Sequence, residues 1–133
     1  MFNSRIGKPV RDGKTIMVID PDRLVGDLVE YNFDQEGYRV KQVYSLDDAY
    51  ALDLSQYSLF ILDMDAAEHS VLQFIETMRS DAATVDTPII ICSDAATSDY
   101  IVDCLNAGAD DFVIKPFSMR VMLARVKSVL SRH

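Results

Sequence analysis

Ser58-Leu59-Phe60-Ile61-Leu62-Asp63 decides the fold. Apolar, β-friendly residues run without interruption into a carboxylate. A short continuous apolar run bounded by polar residues reads as a strand buried on both faces, the kind found in parallel sheets. Asp63 then stands where the strand leaves the sheet, the edge at which open α/β sheets collect ligands and chemistry. Two other stretches repeat the pattern: Thr15-Ile16-Met17-Val18-Ile19 runs into Asp20, and Pro88-Ile89-Ile90-Ile91-Cys92 into Ser93. A further one, Asp111-Phe112-Val113-Ile114, runs into Lys115-Pro116. Side by side, these strands would bring Asp20, Asp63, Ser93 and Lys115 to one rim.

Between these runs the apolar spacing becomes helical. Leu24, Val25, Leu28, Val29 and Phe33 predict a helix after Asp20-Pro21-Asp22 that continues to Glu36 and stops at Gly37. Tyr38 to Tyr44 alternates as a second strand, and a short helix over 46–54 follows Ser45 as N-cap. A loop over 64–69 leads to a helix over 70–80 carrying Val71, Leu72, Phe74, Ile75 and Met78. A helix over 97–107 ends at Gly108, and a last helix over 118–131 carries a core stripe of Met119, Met122, Val126, Val129 and Leu130. Strands alternating with helices require right-handed crossovers and a parallel sheet. The expected fold is α/β: a doubly wound five-stranded parallel sheet of order 2-1-3-4-5 flanked by five helices, a flavodoxin-like three-layer sandwich. That order sets the first strand beside the third, and hence Asp20 beside Asp63.

A chain of 133 residues is one domain with room for a hydrophobic core. Residues 1–13 read as a flexible leader and 14–133 as the folded domain. The net charge of −8 opposes direct nucleic-acid binding. Cys92 and Cys104 have neither a CxxC partner nor a His/Cys cluster, and read as buried reduced thiols of a cytoplasmic protein. No apolar run approaches the roughly 18 residues of a membrane span, so no membrane partner is expected. His69 and His133 stand singly and are assigned no catalytic part.

From about residue 14 to 131 the chain resembles the receiver domain of two-component response regulators. An acid ends the first strand, an acceptor aspartate the third and a hydroxyl residue the fourth. Gly108-Ala109-Asp110-Asp111-Phe112-Val113-Ile114-Lys115-Pro116-Phe117 follows the family's fifth-strand signature closely. The resemblance implies phosphorelay signalling rather than an enzyme, with Asp63 phosphorylated by a partner histidine kinase. Ser93 would bond a phosphoryl oxygen, Lys115 would pair with the phosphate through a cis Lys115-Pro116 peptide, and Phe112 would be the switch aromatic. Phosphoryl transfer rests on positioning and charge compensation, which the family supplies with Mg²⁺ and a lysine. The implied Mg²⁺ ligands are Asp20, Asp63 and the main-chain carbonyl of Asp65. The tail from Lys115 to Lys127 further resembles the subclass with a winged-helix output, so DNA would be reached only through a separate output domain.

The sequence also departs from the family. The second of two adjacent acids is Pro21, which has no side-chain oxygen. Ala67 and Val71 replace a usual proline and turn glycine, and Asp65, Glu68 and Asp94 add negative charge. Such charge opposes phosphorylation of a neighbouring aspartate or recruits a cation. Asp20-Pro21 also fits an N-cap followed by proline at the first helical position, with Asp22 as a first-turn acid favoured by the helix dipole. If Lys115 only neutralises Asp63, the domain is a pseudo-receiver, a phosphorylation-independent interaction or dimerisation module. Val121 lies off the core stripe, on the side of Arg125. In the winged-helix subclass an acid there pairs across a dimer with a base aligning near Ile101. Both positions are apolar here, whereas Asp111 and Arg125 keep their charges. A homodimer through helix 4, strand 5 and helix 5 is therefore expected.

Two rivals share the topology. Asp63-Met64-Asp65 resembles the DxD motif of haloacid-dehalogenase-type phosphatases, but the following threonine is missing and 133 residues leave no cap domain. A flavin-binding domain would need a phosphate-cradling loop after the first strand, and none is present.

Overall fold

The computed structural model of the chain describes residues 14–63, 68–94 and 98–132. The leader expected over 1–13 lies outside the described residues, as do Asp65 and His133. Five strands, β1 (Thr15–Ile19), β2 (Arg39–Val43), β3 (Leu59–Asp63), β4 (Ile89–Ser93) and β5 (Asp111–Ile114), pair in parallel in the order β2-β1-β3-β4-β5. They alternate with α1 (Arg23–Gln35), α2 (Leu46–Tyr50), α3 (Glu68–Ser80), α4 (Ser98–Ala107) and α5 (Met119–Ser131). The sequence reading of the fold holds in strand order and element type.

Alternation along each strand divides the core into two layers. Ile16, Val18, Leu59, Ile61, Ile90, Cys92 and Val113 face α1 and α5, where Val29, Phe33, Met122, Val126 and Val129 are buried. Met17, Ile19, Phe60, Leu62, Ile89 and Ile91 face the opposite layer, with Val71, Phe74, Ile75 and Met78 of α3 and Ile101 and Cys104 of α4. Every residue of β3 and β4 is buried, as their continuous apolar runs require. β2 and β5, at the edges, are partly exposed. Gly37 (φ 88°) and Gly108 (φ 126°) take the left-handed conformations that end α1 and α4. Both cysteines are buried, and burial, reinforced by Asp103, pushes the Cys104 thiol up to about 11.

Several boundaries differ from the sequence reading. The helix expected over 46–54 is one five-residue helix, α2, and a separate 3₁₀ turn at Leu54–Gln56, which Asp53 caps through the Ser55 N–H. α3 begins at Glu68, two residues before the expected start at 70. Ser118 lies outside α5 as its N-cap, accepting from the Val121 N–H at 3.1 Å. Among the described residues, no helix is long and apolar enough to cross a membrane.

The amino edge of the sheet is tied by one side chain. Arg79, near the end of α3, donates Nε and Nη2 to the Gly108 carbonyl at 3.0 and 2.8 Å. Its Nη1 reaches the carbonyls of Thr87 (2.7 Å), Val85 (3.2 Å) and Thr84 (3.3 Å), and Nη2 pairs with Asp110 Oδ2 at 3.1 Å. The same Asp110 oxygen accepts the Ile89 N–H, which opens β4. α3, the connection to β4 and the connection to β5 are thereby fastened together.

Candidate functional site

The carboxyl edge gathers the four residues singled out above. β1 and β3 are neighbours, so Asp20, one residue past Ile19, and Asp63, the last of β3, leave the sheet side by side. Asp63 is in register with Cys92, and Ser93 follows at the end of β4. The Lys115 N–H donates to the Ser93 carbonyl at 2.7 Å, which carries the chain past β5 toward the same edge. Lys115 Nζ lies 2.9 Å from Asp63 Oδ2 and 3.9 Å from Asp20 Oδ2. The Lys115–Pro116 peptide is cis.

These groups are largely withdrawn from water: Asp20 is 5% exposed, Asp63 8% and Ser93 1%. Two buried carboxylates therefore share one ammonium. Burial pushes the Asp20 carboxyl up to about 6. The Asp22 N–H, donating to Asp20 Oδ1 at 2.8 Å, opposes that rise; the Asp63 carboxylate adds to it and Lys115 reduces it.

The expectation that Asp20 caps α1, with Pro21 at the first helical position, is corrected. The N-cap is Asp22, whose side chain accepts from the Leu24 N–H at 3.0 Å, and α1 begins at Arg23. Moving the cap two residues along leaves the Asp20 carboxylate on the rim beside Asp63, and Asp22 is more than a first-turn acid.

Phe112 is partly buried and packs on the core layer that holds Ile101 and Cys104. Asp111 and Arg125 form an exposed pair at 3.5 Å. Val121 is 47% exposed, but Ile101 is only 6% exposed and belongs to the core. Its place on a dimer face is therefore corrected: Ile101, Cys104 and Leu105 share the inward stripe of α4, and the next residue, Val102, points outward at 51% exposure. The spacing missed the β2–α2 connection, where Tyr44, Ser45 and Leu46 reach the same edge as Asp63. Being adjacent to the site across a cavity leaves no periodic mark in the sequence.

The carboxylate pair also bears on metal binding. Mg²⁺ is bound through one or two carboxylates and keeps several waters. Asp20 and Asp63 supply two such groups, and Pro21 supplies none. Among the described residues no cluster of three or more acidic, histidine or cysteine side chains forms a larger cage. The donor set fits a hydrated Mg²⁺ held by few protein ligands.

Residues 16–127 match the family described as the response regulator receiver domain. The chain belongs to that family. The receiver is 31% identical over 121 residues to the phosphate regulon transcriptional regulatory protein PhoB of Pseudomonas aeruginosa, covering 90% of this chain and 53% of that protein. It is 31% identical over 118 residues to the DNA-binding dual master transcriptional regulator RpaA of Synechocystis, covering 88% and 49%. The receiver thus spans about half the length of these curated relatives. A crystal structure of a response regulator from Thermotoga maritima superposes with a TM-score of 0.78 at 28% identity, covering 89% of this chain and 98% of that one. Receivers of this family are signalling modules of two-component systems rather than enzymes in general.

Proposed function

We propose that Asp63 is the phosphoacceptor of this receiver and that a histidine kinase is its donor. A carboxylate oxygen of Asp63 attacks the phosphorus of a phosphohistidine. The P–N bond breaks, the imidazole nitrogen keeps the electron pair, and an aspartyl phosphate forms. Lys115 balances the added charge, and Ser93 donates its hydroxyl to a phosphoryl oxygen. Asp20 and Asp63, with the Asp65 carbonyl, would hold Mg²⁺, which supplies charge neutralisation between acceptor and phosphoryl group. Phe112, beside the β4–β5 edge, is the element whose packing answers to Ser93. The observation that carries the reading is the 2.9 Å contact between Lys115 Nζ and Asp63 Oδ2 at the end of a fully buried strand.

The output face we infer is α4, β5 and α5, acting between two copies. α4 carries Asp99 and Asp103 without a base, and α5, which has no acid, presents Arg125 beside Asp111 on this side, while Lys127 turns to Glu36 at the end of α1. A two-fold axis would set each acidic helix near a basic one. Val102 and Val121 lie exposed on that side, in place of the Ile101 contact corrected above. A winged-helix DNA-binding output, separate from this domain, fits the relatives' descriptions as transcriptional regulators.

A second reading is favoured by Pro21 together with the Lys115–Asp63 pair: a pseudo-receiver whose lysine holds the acceptor permanently neutralised. Intact-mass analysis after incubation with acetyl phosphate and Mg²⁺ separates the two. The phosphoacceptor reading expects one phosphoryl increment on the wild-type chain and none on Asp63→Asn. An unmodified wild-type chain under saturating donor rejects it in favour of the pseudo-receiver.

A further inference from the structure

We propose that the cavity beside Asp63 binds a small organic cation, an ammonium or amidinium group carried on a single ring or short hydrocarbon. The cavity holds about 260 Å³ and opens at the carboxyl edge of β1 and β3, between Pro21, the Tyr44-Ser45-Leu46 connection, Val71 and Asp63. This is the crevice where strand order reverses in a doubly wound sheet, the place where such folds take ligands. Its volume lies just below the usual range of ligand sites, which limits the occupant to about one ring.

The chemistry of the wall selects the occupant. Pro21, Leu46 and Val71 present hydrocarbon, which an apolar body covers favourably and a hydrated inorganic ion does not. Among the described lining residues, Asp63 is the one charged group. Even with Arg23 on the Tyr44 ring counted beside Lys115, the acids at this edge, Asp20, Asp22, Asp63 and Asp94, remain in excess, so a further positive charge is attracted there. An ammonium entering the cavity would share the Asp63 carboxylate with Lys115, whose Nζ lies 2.9 Å from it. The Tyr44 ring already carries the Arg23 guanidinium 4.6 Å from its centroid, which directs an incoming cation to Asp63 rather than to the ring. Apolar walls with one carboxylate at the end describe a site for an amphiphilic cation. This inference concerns the unphosphorylated chain and does not depend on the phosphoacceptor reading.

The test is an amide NMR titration of the ¹⁵N-labelled full chain at neutral pH with benzylamine, benzyl alcohol and benzoate in parallel. Benzylamine should shift the amides of Ile19, Tyr44, Ser45, Leu46 and Val71 with an affinity of about millimolar, as expected for a one-ring ligand. It should bind about tenfold tighter than benzyl alcohol, the margin of one charge-assisted hydrogen bond, and benzoate should not bind. Asp63→Asn, which keeps the shape of the wall, should reduce benzylamine to the affinity of the alcohol. Shifts centred elsewhere, equal affinities of amine and alcohol for the wild-type chain, or an amine preference that survives Asp63→Asn would each overturn the proposal.

Discussion

Each edge of the sheet is organised around one cation, and the two cations are used in opposite ways. At the amino edge Arg79 meets four carbonyls and one carboxylate, with five of its six contacts between 2.7 and 3.2 Å. Each element it joins is held by a group that has no other task. At the carboxyl edge Lys115 stands between two buried carboxylates, close to one and 3.9 Å from the other. The planar guanidinium fork is saturated by acceptors of fixed position, whereas the ammonium is a point charge too small for the negative charge around it. One edge gains stability from its charges. The other keeps an excess of negative charge that a further cation would offset, at a cost in stability.

The largest effect that would break this contrast is at Arg79. Arg79→Ala should destabilise the domain by about 3 kcal/mol or more, because several charge-assisted hydrogen bonds joining three connections are lost at once. Urea unfolding measures it. Arg79→Lys should recover little, since an ammonium cannot reach Gly108, Thr87 and Asp110 together. A loss below about 1 kcal/mol would mean that the amino edge is no more than an ordinary surface ion pair.

At the carboxyl edge the sign reverses. The Asp20 carboxyl rises from 3.8 in its ordinary state to about 6 in the folded chain, mainly through burial. The fold therefore binds this proton more tightly than the unfolded chain does. The stability it contributes is fully present below about pH 4 and is lost as pH rises through about 6. A shift of about two units corresponds to about 3 kcal/mol, so Asp20→Asn should be more stable than wild type at pH 7 by an amount of that order. The gain should shrink toward zero as both proteins are taken to about pH 4, where the wild-type carboxyl is protonated. Unfolding curves at the two pH values decide, and equal stability at pH 7 would remove the imbalance attributed to this edge.

The two edges also differ in how far the sequence discloses them. Asp20, Asp63, Ser93 and Lys115 are legible because each follows a short run of apolar residues, and the strand order needed to bring them together follows from the alternation of strands and helices. Arg79 leaves no such mark. Its partners are mainly backbone carbonyls, and carbonyls have no side-chain signature; the nearest clue is Gly108, where a side chain would collide with Arg79. The α1 cap was misplaced because proline is favoured at the first helical position, yet Asp22 offered an equally good cap one residue beyond it. Ile101 was misplaced for a different reason. On a helix, neighbouring positions lie about 100° apart, so a displacement of one residue separates core from surface. The cavity beside Asp63 leaves no mark in the sequence, since its volume depends on packing between four short chain segments that are distant in sequence.

The smallest predicted effect sharpens the comparison most, because it adds a charge where one edge is already overloaded. Pro21→Asp supplies a third carboxylate next to Asp20. Without metal, added like charge beside two buried carboxylates should lower stability by up to about 1 kcal/mol, with some of that recovered by burial-free solvation of an exposed side chain. With Mg²⁺ the sign changes: a third hard oxygen in place of hydrocarbon should raise Mg²⁺ affinity about tenfold, equivalent to roughly 1.4 kcal/mol. Saturating Mg²⁺ should then stabilise the variant more than wild type, since an ion bound only by the folded chain adds its binding free energy to stability. Calorimetric titration gives the affinities and thermal unfolding with and without Mg²⁺ gives the linkage. Equal Mg²⁺ affinities would show that the number of acids does not limit cation binding at this edge. The Lys115 ammonium, already 2.9 Å from Asp63, would then be the group that sets it.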